Sequence, residues 1–133
     1  MDMNIQKKEF KYRGKTLEEL KELDTREFAK LLPSKPRRFV LRNFQDIEYF
    51  VSRCAKKQSR KKKIRTHKRN IVVVPQLIGM NIQVYNGREF IPIEVVGEML
   101  GHVLGEFSLT RGKISHSKGG VGATKGSKHK AKK

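Results

Sequence analysis

Lysine and arginine are packed into two runs whose only evident chemistry is attraction to a polyanion. Residues 56–70 carry nine of them and residues 111–133 carry eight, with no aspartate or glutamate in either run. The segment between the runs, residues 71–110, holds one basic and four acidic residues, net −3, and residues 1–55 are mildly basic at net +4. A slightly acidic apolar module is thus held between two cationic arms. Such arms repel themselves and each other until phosphates neutralise them, and the abundant intracellular polyanion is nucleic acid. No acid occurs between Glu48 and Glu89, whereas a merely solvated charged face usually mixes signs.

Other chemistry is poorly supplied. The four histidines, His67, His102, His116 and His129, are scattered, and no Cys-x-x-Cys or His-x-x-x-His spacing supports a metal site. Lys118-Gly119-Gly120 lacks the strand–loop–helix setting of a phosphate loop. No catalytic constellation and no cofactor are expected. The single cysteine, Cys54, excludes an internal disulfide and fits a reducing compartment. No apolar run approaches a bilayer span, the N-terminus has no signal-peptide stretch, and the basic runs lack the Trp, Phe and Leu of membrane-surface anchors. A cytosolic chain without a membrane partner is the expectation.

Positioning these cations falls to a small number of elements. The chain has 133 residues, of which the Gly/Ser/Lys-rich tail from Arg111 cannot build a core. Thr16 with Glu19, and Asp24 with Glu27, have capping-box spacing and predict two short helices within residues 15–32. Pro33 and Pro36 end that pattern, which leaves Lys35, Arg37, Arg38 and Arg42 on an extended segment. Phe44, Ile47, Phe50, Val51 and Cys54 recur at helical spacing and predict a helix over 44–62 whose C-terminal turns bear the first cationic run. Residues 71–94 read as β: a β-branched run at Ile71–Val74, an alternating strand Asn81–Tyr85, a two-residue turn at Asn86-Gly87 and a return strand Glu89–Ile93. Pro92 marks an edge strand. A short helix around Glu98–His102 and a Gly turn at Gly105 follow. The fold expected is α+β: a hairpin or three-stranded sheet with short helices, a helical N-terminal region (1–43), a core (44–110) and a disordered basic tail (111–133).

Aromatic residues bear on how RNA would be read. A stacking sheet needs two or three exposed rings on neighbouring strands. Only Tyr85 and Phe90 are in range, and Phe90 reads as core. Recognition by shape and backbone is therefore expected.

From Asn86 to Thr110 the string NGREFIPIEVVGEMLGHVLGEFSLT resembles the signature of the small-subunit ribosomal protein 19 family. It has Asn-Gly-basic, then Val95, Leu100-Gly101, Leu104, Gly105-Glu106-Phe107 and Thr110. Arg65-Thr66-His67 and Pro75-x-Leu77-Ile78-Gly79 add to the match, which is close over residues 64–112. The N-terminal region, with Gly122-Ala123-Thr124 in the tail, is similar to the archaeal and eukaryotic branch. The resemblance implies a non-catalytic constituent of the subunit head that binds small-subunit rRNA. It also implies ribosomal protein 13 of the same subunit as a neighbour and a C-terminal extension directed at the tRNA sites, with tRNA a further partner of the tail.

Within that frame the expected RNA contacts are Lys35, Arg37, Arg38 and Arg42; Arg60, Lys61, Lys62 and Lys63; and Arg65, Lys68 and Arg69 where the chain joins the sheet. Further on they are Asn86, Gly87 and Arg88 at the turn, His102 beside Gly101, and Arg111, Lys113, His116 and Lys118 in the arm. Glu106 is expected to cap the chain or pair with arginine. The rivals are a DNA-packaging protein, disfavoured by the absence of an evident recognition helix, and an RNA-modifying enzyme, which needs a pocket of convergent polar groups.

Overall fold

The computed structural model describes residues 9–114, 120 and 125–127. A two-stranded antiparallel ribbon, β1 (Lys11–Tyr12) and β2 (Lys15–Thr16), leads into four helices: α1 (Leu17–Glu22), α2 (Thr25–Leu31), α3 (Ser34–Arg42) and α4 (Phe44–Ser59). A three-stranded sheet follows, formed by β3 (Ile64–Thr66), β4 (Asn81–Tyr85) and β5 (Phe90–Glu94). The central β4 pairs in parallel with β3 and antiparallel with β5. The architecture is α+β, as expected.

Local chemistry accounts for the helix boundaries. At α1 the capping box forms in both directions: Thr16 N–H donates to Glu19 Oε2 (3.1 Å) and Glu19 N–H to Thr16 Oγ1 (3.5 Å). Asp24 occupies the N-cap of α2, but its side chain makes no capping bond; its backbone carbonyl accepts from Phe28 instead, at 2.9 Å. The extended segment expected at Pro33–Arg42 is a helix. Pro33 is its N-cap and Pro36 lies in its first turn, where a missing N–H costs nothing because those amides have no intrahelical acceptor. The two prolines therefore separate α2 from α3 without preventing either.

The helix predicted over 44–62 ends at Ser59. Lys61 N–H donates to Gln58 C=O (2.9 Å) and Lys62 N–H to Lys57 C=O (2.9 Å). This is a Schellman closure, with Lys61 in the left-handed position (φ 51°) that glycine usually fills.

Ile71–Val74 is buried but is no strand of the sheet. It makes one bridge, Val72 to Val103. Its backbone is satisfied by the chain around Gly101–Gly105: Val73 N–H donates to His102 C=O (2.8 Å), Gly101 N–H to Val73 C=O (3.2 Å) and Leu104 N–H to Ile71 C=O (3.0 Å). The short helix expected near Glu98–His102 is a 3₁₀ turn at Gly97–Met99, and a second 3₁₀ turn spans Leu104–Phe107. β5 is the sheet edge that Pro92 predicted.

The helical N-terminal region packs on the sheet region. Leu20, Phe28, Leu32 and Val40 share one buried cluster with Ile47, Phe50, Ile71–Val74, Ile82, Val84 and Leu104. Arg26 stacks on the Phe44 ring at 3.7 Å, and Gln76 Nε2 donates to Leu23 C=O at 3.0 Å. Gly101 serves this contact. It has φ +81°, and a Cβ there would meet Leu32 Cδ2 at 2.9 Å and the Tyr12 hydroxyl at 3.2 Å. Its close approach is thus to the N-terminal region rather than to the sheet.

Cys54 faces the core, and burial pushes its thiol from 9.0 up to about 11 despite the nearby Arg53 and Lys57. With the native value about two units high, iodoacetamide at neutral pH should alkylate Cys54 ~100-fold more slowly in the native than in the urea-unfolded chain. Equal rates would show an accessible thiol. Because the folded value is raised, the associated stability is intact below pH 9.0 and is lost as pH climbs through about 11.

Candidate nucleic-acid interface

The predicted cations separate into groups with different surroundings. On α3, Lys35, Arg38 and Arg42 follow at spacings of three and four, which puts them on one face. With Phe39 and Asn43 they line a shallow groove of about 340 Å³. Arg37 is used differently: its Nε donates to Ala29 C=O (3.3 Å), and its Nη2 donates to Lys30 C=O (3.1 Å) and Leu32 C=O (2.9 Å). These are the terminal carbonyls of α2, so Arg37 caps that helix from α3.

Beyond α4, Arg60, Lys61, Lys62 and Lys63 are all exposed. Lys61, Lys62 and Lys63 line a groove of about 450 Å³ with Gln58, Asn81 and Gln83. Among the described residues none of these lysines has a carboxylate within ion-pair distance. The closure at Lys61 turns the backbone from the helix axis into β3, which places three successive cations beside the sheet.

Across the solvent side of the sheet run Arg65, Gln83 and Pro92, in register with one another. Arg65 Nε donates to Gln83 Oε1 at 3.0 Å, and its guanidinium carbon lies 5.3 Å from the Phe90 ring centroid. Past the end of β3, His67 joins Tyr85 and Phe90 in a three-ring cluster, with centroids 4.7 Å (His67–Tyr85), 5.1 Å (His67–Phe90) and 5.1 Å (Tyr85–Phe90) apart. Phe90, expected in the core, is half-buried on this outer face. Strand parity carried the missing signal. The buried Ile82, Val84 and Ile93 face inward, so Tyr85, and Phe90 opposite it, must face outward.

Arg69, expected to meet phosphate, is half-buried and committed to the fold. Nη1 donates to Tyr85 C=O (2.6 Å), and Nη2 donates to Gly105 C=O (2.7 Å) and Ser108 C=O (2.6 Å). Gly105 permits this approach, since a Cβ there would lie 3.0 Å from both the Cβ and the carbonyl oxygen of Arg69. Lys68 stays exposed and pairs with Asp46 at 3.5 Å, a surface contact of small energetic weight.

The turn is longer than predicted. Tyr85 pairs with Phe90, which leaves the four residues 86–89 in the loop, and Gly87 alone among them has positive φ. Asn86 Oδ1 accepts from the N–H groups of Arg88 (2.9 Å) and Glu89 (2.8 Å), and the Arg88 side chain projects from an exposed tip. His102 is exposed and its Nδ1 lies 2.8 Å from Glu106 Oε2, while Glu106 Oε1 accepts from Val103 N–H at 3.4 Å. Glu106 thus caps the chain as expected, but its side-chain partner is His102 and not an arginine. Arg111 and Lys113 are exposed; His116 and Lys118 lie outside the described residues. No group of three metal-binding side chains occurs among the described residues, and no helix among them is long and apolar enough to cross a membrane.

Two comparisons bear on this surface. The family model described as Ribosomal protein S19 matches residues 38–116, from α3 through the sheet into the tail. The small ribosomal subunit protein uS19 of the archaeon Methanococcoides burtonii is 46% identical over 122 residues, which is 92% of this chain and 88% of that protein. A match that spans the cationic run, the sheet and the Asn86–Thr110 signature together, extended by that relative over nearly the whole chain, shows that this chain belongs to the ribosomal protein S19 family, a family of ribosomal structural proteins and not of enzymes.

Proposed function

We propose that this chain is a structural constituent of the small ribosomal subunit that binds its rRNA through the α3 groove, the lysine groove beside α4, the loop at Arg88 and the basic tail. The observation that carries the reading is the set of exposed cations on two grooves with no acidic partner among the described residues, in a chain of this family. Lysine and arginine lining a concave surface neutralise phosphates of converging RNA helices and let them pack, chiefly by charge and shape. The described part of the N-terminal extension (1–43) and the core (44–110) would supply the folded body and 111–133 the arm. Ribosomal protein 13 is the expected neighbour in the subunit head, with the arm directed to the tRNA sites. The scheme gives contact roles to Lys35, Arg38, Arg42, Arg60, Lys61, Lys62, Lys63, Arg65, Lys68, Asn86, Gly87, Arg88, His102, Arg111, Lys113, His116 and Lys118, and structural roles to Arg37 and Arg69.

Sucrose-gradient sedimentation of a lysate in low and high salt tests this. The chain is expected to co-migrate with small subunits and to survive a salt wash. Migration as free protein, or release at modest salt together with DNA, would leave only non-specific polyanion binding.

A further inference from the structure

We propose that the outer face of the three-stranded sheet is a stacking site for an unpaired RNA base. The ring cluster of His67, Tyr85 and Phe90 takes the base, and Arg65 with the lysine groove takes the adjoining phosphates. The inference rests on the rRNA-binding reading and specifies what one surface of it recognises.

The inner face of this sheet, with Ile64, Thr66, Ile82, Val84 and Ile93, is buried in the core. An outer face that had only to meet water would carry polar residues. Here it carries three rings in mutual contact, with His67 exposed and Tyr85 and Phe90 half-buried. Tyr85 is held in place by its own hydroxyl, which donates to Gly87 C=O at 2.9 Å, and Phe90 by pairing opposite it. The platform is therefore preformed, which lowers the ordering cost of binding.

The cations are aligned with it. Lys63, Arg65 and His67 alternate along one edge of the sheet, and the four residue steps from Lys63 to His67 span about 13 Å of extended chain. Arg65 uses Nε on Gln83 and holds its guanidinium near the Phe90 ring, while its two terminal amino groups have no hydrogen-bond partner among the described residues. A strand laid along β3 would thus meet Lys63, then Arg65, then the rings. Rings beside a basic groove are the combination by which proteins bind unstacked bases; a duplex, whose bases are already stacked, can use only the cations.

The test uses the full chain and two RNA probes of equal length: a hairpin with 2-aminopurine in its single-stranded loop, and a blunt duplex. Wild type is expected to change the 2-aminopurine emission on binding. His67→Ala and Phe90→Leu are each expected to weaken loop binding about 5- to 50-fold, with duplex binding and the salt slope unchanged. Lys62→Gln with Lys63→Gln should weaken both probes and flatten the slope for both. His67 is exposed, so its truncation leaves the core intact, and equal thermal melts would verify this. If His67→Ala and Phe90→Leu bind the loop as wild type does, the stacking site is wrong while the rRNA-binding reading stands. If wild type binds neither probe at moderate salt, both are wrong.

Discussion

Replacing Arg69 by methionine is expected to lower stability by about 3 to 5 kcal/mol, the largest loss available to any single exposed-looking cation in the chain. The guanidinium reaches three carbonyl oxygens in separate segments: Tyr85 at the end of β4, and Gly105 and Ser108 in and after the last 3₁₀ turn. Each bond has a charged donor, and removing it strands a partly buried acceptor as well as losing the bond. Methionine retains much of the aliphatic stem, so the deficit reports on the carbonyls and not on packing. Arg69→Lys should recover only a minor part, because one ammonium has no planar fork to span three acceptors. Urea unfolding read by circular dichroism checks this, with the midpoint falling and the slope unchanged. Amide exchange should accelerate first at residues 104–108. A midpoint within a few tenths molar of wild type would return Arg69 to the surface and to phosphate binding.

The same residue shows why part of the site was illegible in the sequence. Within Arg65-Thr66-His67-Lys68-Arg69 a cation that binds phosphate and one that clamps carbonyls have identical letters. Only the convergence of segments 16 to 39 residues away distinguishes them. Arg37 hides for the same reason, since its acceptors belong to the preceding helix. Features set by neighbouring residues were readable: the Thr16–Glu19 box, the apolar stripe from Phe44 to Cys54, the alternation at Ile82 and Val84, and the edge proline at 92.

Proline misled at 33 and 36 because its effect depends on helix position, not on its presence. The β-branched run at Ile71–Val74 misled because composition records burial but not partner geometry. Its hydrogen bonds go to a chain broken by two 3₁₀ turns, with which no regular ladder can form. Phe90 misled because an apolar residue is assigned inward by default, although its register opposite Tyr85 requires the outer face.

Deleting Arg111–Lys133 is expected to leave the fold intact while removing a large share of RNA affinity. Within residues 9–114 the last hydrogen bond into the body is made at Ser108, which is fully buried, donates through Oγ to Val84 C=O at 3.3 Å and accepts from Arg69. Leu109 and Ile114 are 78% and 73% exposed, so a chain ending at Thr110 retains every anchoring contact of that segment. Urea midpoints of the two chains should agree. RNA binding should not. The deleted segment holds eight lysines and arginines, and at ~0.7 per neutralised phosphate they account for roughly 5 to 6 of the slope of log K against log salt. Over a fourfold rise in salt, that slope alone corresponds to an affinity change of ~10³-fold. The residual slope would belong to the grooves of α3 and α4 and to Arg65, Lys68 and Arg88, and a Lys61, Lys62, Lys63 to glutamine variant should reduce it by about 2 more. Titrations of structured RNA at several salt concentrations measure both. An unchanged slope in the truncated chain would show that the arm's charges engage no phosphates, and would leave the two grooves, with Arg65, Lys68 and Arg88, as the electrostatic basis of binding.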